Sequence, residues 1–418
     1  MDEPVDVVCP PDPAGAHEQT MRLAIEAAHR GPRGANPLVG AVLVSPEGEV
    51  LAVGHHRGAG HLHAERDALR QVAAGGDHGA VDLHGATLYC TLEPCRHHGR
   101  QPPCTEAILE AGVGRVVYGA DDPTPDASGG AAVLRAAGVE VVSGVLSGPA
   151  LAVNNRWARA RREGRPFVTV HLAQSLDGRI AAADGTSQWI TSSASRLHTH
   201  RIRRRIDAIL VGSNTAEVDD PRLTARLPDG TLADRQPLRC VMGRRPLAER
   251  ARLRQGRPEG DGWVQLRTHD PLEALQRLGA IEHDGHPVRH VLVEGGSRVL
   301  AAFFAQDLVD EIFAYQAPLI LGAGASSVGD IGVTTLAEAR RYTRDQAEGG
   351  AVRILDDDVC VHLQPAEGAL TWPEQSTDPL SIGPRGASAP THHASDAAAD
   401  LAGAGEDRSC TDPCSPES

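Results

Sequence analysis

The segment GHLHAERDAL, residues 60 to 69, sets a histidine two residues ahead of a glutamate. About thirty residues later, TLEPCRHHGRQPPC sets Cys95 and Cys104 nine positions apart on a loop rich in proline and glycine. With His63 they offer one nitrogen and two sulfurs, a donor set suited to zinc. Three protein ligands leave a fourth tetrahedral position for water, whose pKa zinc brings down to roughly 7. Attack on an amino-bearing ring carbon then needs a group that carries the proton to the departing nitrogen. Glu65, two residues along the helix from His63, suits that role better than it suits a further ligand.

The same residues admit other arrangements: inert buried thiols, or a structural zinc site with His97 or His98 as a fourth ligand. Zinc deaminases carry HxE followed by PCxxC. Here HAE and PC are present, but eight residues rather than two separate the cysteines, which sets the chain apart from general nucleoside and nucleic-acid deaminases. A deaminase of that kind with an unrelated second domain remains the alternative enzyme, and a metal-stabilised scaffold the non-enzymatic alternative.

A second constellation is HVLVEGGSRVLAAFF. An apolar strand ends at Glu294, a glycine pair allows close backbone approach, and a helix follows with free N-terminal amides, a start that can hold a phosphate. An ordinary strand-to-helix turn has the same pattern. No GxGxxG follows an early strand of this half, so a dinucleotide cannot be argued from that motif.

These residues need elements to hold them. AHEQTMRLAIEAAHRG spaces Met21, Ile25 and Ala28 as a helix ending at Gly31. LVGAVLVS and EGEVLAVGHH read as a strand and its hairpin partner, and residues 63 to 74 as a helix whose Arg66, Asp67 and Arg70 are plain surface. Strands at ATLYCTLEPC, RVVYGADDP and VEVVSGVL alternate with helices at TEAILEAGV and GGAAVLRAAG, the pattern of a layered α/β sheet. After a loose N-terminus over 1–15, the first domain is expected over 16–148 and a linker helix over 149–165. A second α/β series, from PFVTVHLAQSLDGRIA to VCVHL, fills 166–364. The acidic remainder, 365–418, has no apolar period and is expected to be disordered.

The 418 residues include 55 acids, 41 bases and 3% aromatics. From Pro365 onward, 9 acids and 2 arginines give −7, half of the net −14, so the preceding residues are only mildly acidic. That balance and the few aromatics argue against nucleic-acid partners. All 41 bases are arginine, which excludes a Walker A loop and Schiff-base or pyridoxal-phosphate chemistry. Neither a secretory signal nor an apolar run of about 18 residues occurs, so no membrane partner and a cytoplasmic location are expected, with reduced cysteines. Cys90 reads as core. Cys9, Cys240 and Cys360 have no assigned role, and Cys410 and Cys414 read as unstructured.

NPLVGAVLV, HAE and TLEPCRHHGRQPPC, followed by SLDGRIA, SQWITS, DDPRLT and VEGG, resemble the bifunctional riboflavin-biosynthesis deaminase and reductase family across about residues 16 to 364. The resemblance implies a cytidine-deaminase-like α/β/α domain followed by a dihydrofolate-reductase-like α/β domain. It implies deamination of 2,5-diamino-6-(ribosylamino)pyrimidinone 5′-phosphate, then NADPH reduction of the ribosyl group. His63, Cys95 and Cys104 would hold one zinc per chain, with Glu65 as proton carrier. Asn36 and the HHGR loop to Arg100 would hold the pyrimidine and its phosphate, though Asn36 also reads as a turn residue before Pro37. Ala173, Trp189, Thr215, Asp219, Gly296, Ser297, Arg298 and Val299 would contact NADPH. Ser187, Arg203, Leu223, Arg226 and Glu294 would contact the reductase substrate, Arg204 and Arg205 being solvated helix face. Asp177 of SLDGR either caps the turn at Gly178 or lies near the site. A homo-oligomer is left open. The sequence departs from the family pattern at Leu62, where proline is usual, at Arg96, at TPDASGG and at Gln174, none of them a ligand or the glutamate.

Overall fold

In the computed structural model, the described residues are 13–58, 60–75, 83–98, 101–124, 127–255, 260, 262–347 and 350–366. Arg100, the extreme N-terminus and the acidic tail from 367 lie outside them. The first half builds a five-stranded sheet from β1 (Gly40–Val44), β2 (Val50–His55), β3 (Thr87–Leu92), β4 (Arg115–Ala120) and β5 (Glu140–Ser143), in the order β2-β1-β3-β4-β5. β1 runs antiparallel to β2 and β3, while β3, β4 and β5 are parallel.

Alternate strand residues feed two layers. Val42, Val44, Tyr89 and Val117 face Met21 and Ala24 of α1 (Pro13–Ala28). Ala41, Leu43, Leu88 and Val116 face α2 (Ala64–Ala73), α3 (Cys104–Glu110) and α4 (Gly130–Ala136) through Ala68, Ile108 and Leu134. A proline opens α1 three residues before the expected start, as suits the first helical position. Gly54 is what lets α2 lie so low on the sheet: a Cβ there would stand 2.2 Å from the Ala64 carbonyl. Both expected site residues of α2 are set by that approach.

The connecting helix, α5, runs Ser147–Arg162, two residues ahead of its expected start. The second sheet contains β6 (Phe167–Ser175), β7 (Ala208–Gly212), β8 (Leu238–Met242), β9 (Trp263–Leu266), β12 (His290–Val293), β13 (Glu311–Ala317), β14 (Tyr342–Arg344), β15 (Val352–Leu355) and β16 (Asp358–Pro365). Their order is β14-β16-β13-β6-β12-β7-β8-β9, with β15 also on β16; β10 (Glu282–His283) and β11 (His286–Pro287) form a separate hairpin. From β13 to β9 the strands are parallel, and β7, β8 and β12 are buried at every position, as expected for strands covered on both faces. One face packs on α8 (Pro271–Gly279) and α9 (Ser297–Ala305), the other on α6 (Ser193–Arg203), with α7 (Ser213–Val218) following β7. Cys90, Cys240 and Cys360 are buried in these cores, none of them in a disulfide. No described helix is long and apolar enough to cross a membrane.

The two sheets meet around buried charge. Arg33, from the loop after α1, reaches both oxygens of Asp345 at 2.6 and 3.1 Å and donates to the Val153 carbonyl at 2.7 Å. Arg156 of α5 donates to the same carboxylate at 3.1 Å. Asn154 pairs both ways with the backbone of Leu38, and Trp157 Nε1 donates to the Ala35 carbonyl. Burial alone would raise the Asp345 carboxyl, but Arg33, then His362 and Arg156, hold it below its ordinary value.

A carboxylate held low contributes stability above its unfolded pKa of about 3.9 that is lost as pH falls through the folded value. Asp345→Asn leaves two buried guanidiniums short of their counter-charge, so we expect a loss of about 3–5 kcal/mol at neutral pH. The variant's unfolding midpoint should also change less than wild type between pH 5 and about 2. Urea melts across that range check both, and an unchanged midpoint at pH 7 would contradict the role given to Asp345.

Candidate active sites

His63 is the N-cap of α2, extended at φ −67° and ψ 158°, so its ring projects from the helix mouth while Glu65 lies in the first turn. Cys95 follows β3, and Cys104 opens α3 behind Pro102 and Pro103. His63 Nδ1 lies 3.6 Å from Cys95 Sγ and 3.3 Å from Cys104 Sγ, and the three donor atoms all fall within 4.8 Å of one another. Bonds of about 2.3 Å to sulfur and about 2.1 Å to nitrogen at a tetrahedral angle separate the two donors by about 3.6 Å. The cluster therefore fits zinc. Among the described residues it has three members, and His98 is instead turned to Glu106 at 3.2 Å.

Hydrogen bonding from the Cys104 thiol, then from His63, brings Cys95 down to about 4, while its bond to Cys95 and burial push Cys104 up. Burial also pushes the Glu65 carboxyl up. At 4% exposure, Glu65 is held where a shared proton costs little.

Arg66 and Asp67 are not the plain helix surface expected of them. Arg66 donates through Nε to the Pro102 carbonyl at 3.1 Å and through Nη2 to that of Pro103 at 2.9 Å, tying α2 to the residues just ahead of Cys104. Asp67 accepts from the His55 amide and from Gln71.

A cavity of about 320 Å³ opens on Glu65, His63 and Cys95, and Asn36 lines it. The Asn36 amide nitrogen lies 2.9 Å from His56 Nε2, and His56 Nδ1 lies 3.1 Å from the Leu62 carbonyl. Because the amide nitrogen only donates and the carbonyl only accepts, His56 carries its proton on Nδ1. Burial brings its pKa down to about 4, so it is neutral. The bond uses the backbone oxygen of residue 62, which leucine supplies as well as proline does. Asn36 thus has a specific side-chain partner, not only a turn position before Pro37.

A larger cavity of about 740 Å³ lies over the second sheet at the ends of β7 and β12. It brings together Ala173, Trp189, Thr215, Asp219 and Gly296 of the expected cofactor contacts, and Ser187, Arg203, Leu223, Arg226 and Glu294 of the expected substrate contacts. Ser297, Arg298 and Val299 are not in its wall but in the first turn of α9. Gly296 caps that helix without a side-chain bond, leaving leading amides free. The Val299 side chain is spent on packing: a Cβ at Gly212 or Gly295 would come within 2.7 Å of it.

Arg203 grips Glu294 with Nε to Oε1 at 2.8 Å and Nη2 to Oε2 at 2.5 Å, and donates Nη1 to the Thr224 carbonyl at 3.1 Å. Burial would raise the Glu294 carboxyl; Arg203 holds it below its ordinary value. Burial raises Asp219, opposed by Ser187. The DDPRLT loop places Asp220 at φ 40° and Leu223 at φ 53°, a left-handed conformation that costs roughly 1–2 kcal/mol per non-glycine residue. Leu223 is nevertheless buried in the core beneath the cavity. Trp189 is 69% exposed, with the Arg196 guanidinium 4.7 Å from its ring centre.

Two open readings are resolved. Asp177 accepts from Ser175 Oγ and from the amides of Leu321 and Gly322, so it fixes a turn and does not line the cavity. Arg205 is not solvated helix face: α6 ends at Arg203, and the Arg205 guanidinium lies 5.9 Å from the Phe313 ring centre.

Sequence reasoning missed His171, Thr199 and His200 in the larger cavity. His171 stands two residues before Ala173 on β6, hence on the same face, a signal that was available. Its Nε2 donates to Thr199 Oγ1, whose own hydrogen goes to the Ser195 carbonyl. In the smaller cavity it missed His56, together with Trp157 and Arg161 of α5 and Arg289 from the second half. Nothing in their local pattern marks those last three.

Residues 15–120 match the family described as cytidine and deoxycytidylate deaminase zinc-binding region, and residues 166–347 match the RibD C-terminal domain. The chain is 44% identical to the riboflavin biosynthesis protein RibD of Mycobacterium tuberculosis, over 79% of this chain and 94% of that one. It is 35% identical to RibD of Escherichia coli, over 83% and 98%. Among solved structures, Acinetobacter baumannii RibD (form 1) superposes with a TM-score of 0.64 at 34% identity, covering 84% of this chain and 99% of that one. A Thermotoga maritima diaminohydroxyphosphoribosylaminopyrimidine deaminase/5-amino-6-(5-phosphoribosylamino)uracil reductase gives 0.62 at 32%, covering 84% and 98%.

Elemental analysis of purified protein should find about one zinc per chain, falling to a small fraction of that in Cys104→Ser. Arg66→Ala frees the Pro102–Pro103 segment and should weaken zinc retention against a chelator by about tenfold, the scale of losing a group that positions a ligand. Unaltered retention would mean that Cys104 is placed by α3 alone.

Proposed function

The chain belongs to the RibD family of riboflavin-biosynthesis proteins, bifunctional enzymes with a zinc-dependent deaminase and an NADPH-dependent reductase, and we propose how its own residues divide that work. The observation that carries the reading is the pairing of two cavities in one chain, one ending at Glu65, His63 and Cys95, with Cys104 in the same donor cluster behind them, the other at the Arg203–Glu294 pair beside the open start of α9.

In the first, the substrate is a phosphorylated aminopyrimidine, 2,5-diamino-6-(ribosylamino)pyrimidinone 5′-phosphate. His63 and the thiolates of Cys95 and Cys104 would hold zinc, which when bound would supply the Lewis acidity that makes water a nucleophile at neutral pH. The Glu65 carboxylate is placed to take a proton from an attacking water as the C–O bond forms and to return it to the amine nitrogen, after which the C–N bond breaks and ammonia leaves. Asn36, oriented by neutral His56, donates to the pyrimidine ring.

In the second, bound NADPH would supply a hydride for C1′ of the ribosyl group, while the C1′–O4′ bond opens and the ring oxygen takes a proton from solvent, giving ribityl. The free amides at Gly296 and Ser297 are suited to the cofactor phosphates, with Arg298 adding exposed positive charge outside the cavity. Ala173, Thr215, Asp219 and Trp189 would line the rest of the cofactor. Arg203 holds Glu294 in one orientation and keeps part of its fork for the substrate, while Arg226, Ser187 and Leu223 complete the substrate wall. We assign the deaminase to 16–148 and the reductase to 166–364, joined by α5. The alternative of a nucleic-acid deaminase with an unrelated second domain finds no support in relatives that match both halves together.

Ammonia release and NADPH oxidation, followed separately, test this division. Glu65→Gln should lower deamination by roughly 10²–10⁴-fold while zinc stays bound. Loss of the metal from that variant would make Glu65 a ligand instead. Arg203→Ala should cut reduction at least tenfold and leave ammonia release within twofold of wild type, and equal loss of both would sink the independence of the sites.

A further inference from the structure

The cavity at the zinc ligands is not closed by the deaminase sheet alone. Two guanidiniums line it from elsewhere: Arg161, near the end of α5, and Arg289, the residue before β12 in the second sheet. Their positions follow from how the Asn36 loop is packed. Trp157, one helical turn before Arg161, donates to the Ala35 carbonyl. His290, next to Arg289, crowds the other side, where a Cβ on Gly34 would lie 2.5 Å from its Nδ1. The loop that carries Asn36 is therefore flanked by both elements.

Neither guanidinium has a carboxylate of its own. Arg161 has no side-chain hydrogen bond or ion pair among the described residues, and Arg289 reaches only the Gly279 carbonyl, at 3.5 Å. Asp207, the acid closest in sequence contact, is already used by Arg235 and by the amides of Arg289 and His290. Of the three acids that share the cavity, Glu65 stands at the His63–Cys95 end and the other two are committed. Glu93 accepts from the amides of Gly129 and Ala131, and Asp122 accepts from Thr124. Arg289 is held below its ordinary pKa, by burial first and then by the positive charge of Arg161. Exposed Arg161 and half-buried Arg289, in the wall of one cavity and without a carboxylate partner among the described residues, suit an anion.

We propose that Arg161 and Arg289 bind the 5′-phosphate of the deaminase substrate, so that the deaminase cavity is completed by the connecting helix and the reductase sheet. This rests on the deaminase reading above. A guanidinium pair grips a phosphate dianion through parallel hydrogen bonds and so orients the ribosyl end, leaving the zinc end to do chemistry. Deamination by this chain then depends on the second half for binding, not for turnover.

The test uses the full chain and the double variant Arg161→Ala/Arg289→Ala. For the phosphorylated aminopyrimidine we expect the deaminase KM to rise at least tenfold with kcat within about twofold of wild type, while the dephosphorylated compound is handled equally by both proteins. Arg161→Lys/Arg289→Lys should recover part of the loss. NADPH oxidation on the reductase substrate, unchanged in all variants, reports that the fold is intact. A double variant that keeps the wild-type preference for the phosphorylated compound, or loses activity on both compounds alike, overturns the proposal. Calorimetric titration with ribose 5-phosphate separates this outcome from failure of the deaminase reading. The arginines of the larger cavity are untouched and serve as the internal reference. If wild type released no ammonia, loss of one of two binding events in the double variant would still support the arginine site, and persistence of both would overturn it.

Discussion

A single carboxylate, that of Asp345, sits wholly buried between the guanidiniums of Arg33 and Arg156. Stripping three charges of water costs several kcal/mol per ion, and replacing such a cluster with apolar residues often stabilises a protein. Its worth here lies in registry. Arg33 stands three residues before Asn36, Arg156 stands beside Trp157, and Asp345 belongs to the second half, so one geometry of the cluster places the Asn36 loop, the connecting helix and the second sheet together. An apolar contact of equal area would tolerate sliding; a forked donor on two carboxylate oxygens does not.

The absence of lysine acquires a structural meaning beside that cluster. Arg33, Arg66, Arg165 and Arg203 each engage two or more acceptors at once: Asp345 and Val153, the two proline carbonyls, Asp310 and Pro166, Glu294 and Thr224. An ammonium is a compact point charge and cannot span such planar pairs of acceptors. Composition, which at first only excluded amine chemistry, thus accounts for how distant segments are pinned.

The His63, Cys95 and Cys104 cluster was legible because metal chemistry restricts the residue types and their protonation, so a set that could hold zinc stands out against any background. Parallel strands were equally plain, since burial on both faces leaves continuous apolar runs such as AILVG in β7. The contacts of the larger cavity were legible only through resemblance, because Ala173, Thr215 or Leu223 have no chemistry of their own to announce them. Short antiparallel pieces such as β10, β11 and β14 escaped, being two or three residues long with no period to read. Arg66 was misread for a physical reason: a charged residue on a helix looks alike whether it faces water or the carbonyl oxygens of another segment. Arg161 and Arg289 lay further out of reach, as their meaning depends on which elements the fold brings to the Asn36 loop.

That dependence runs through the same buried charge. The His362 Nε2 donates to Glu311 at 2.7 Å and lies 3.8 Å from Asp345. Glu311 accepts from Thr169 Oγ1 at 2.6 Å, and since that hydroxyl has spent its hydrogen, it accepts in turn from His290 Nε2 at 2.7 Å. Burial brings His290 down to about 4, so it is neutral, with its proton on Nε2 and its bare Nδ1 turned to Gly34. Arg289 is the next residue. The network that starts at Arg33, on one side of the Asn36 loop, therefore ends at the backbone carrying Arg289 on the other. Both walls of the smaller cavity answer to one buried network, hydrogen-bonded from His362 through Glu311 and Thr169 to His290 and joined to the Arg33–Asp345 pair by the 3.8 Å approach of His362 to Asp345.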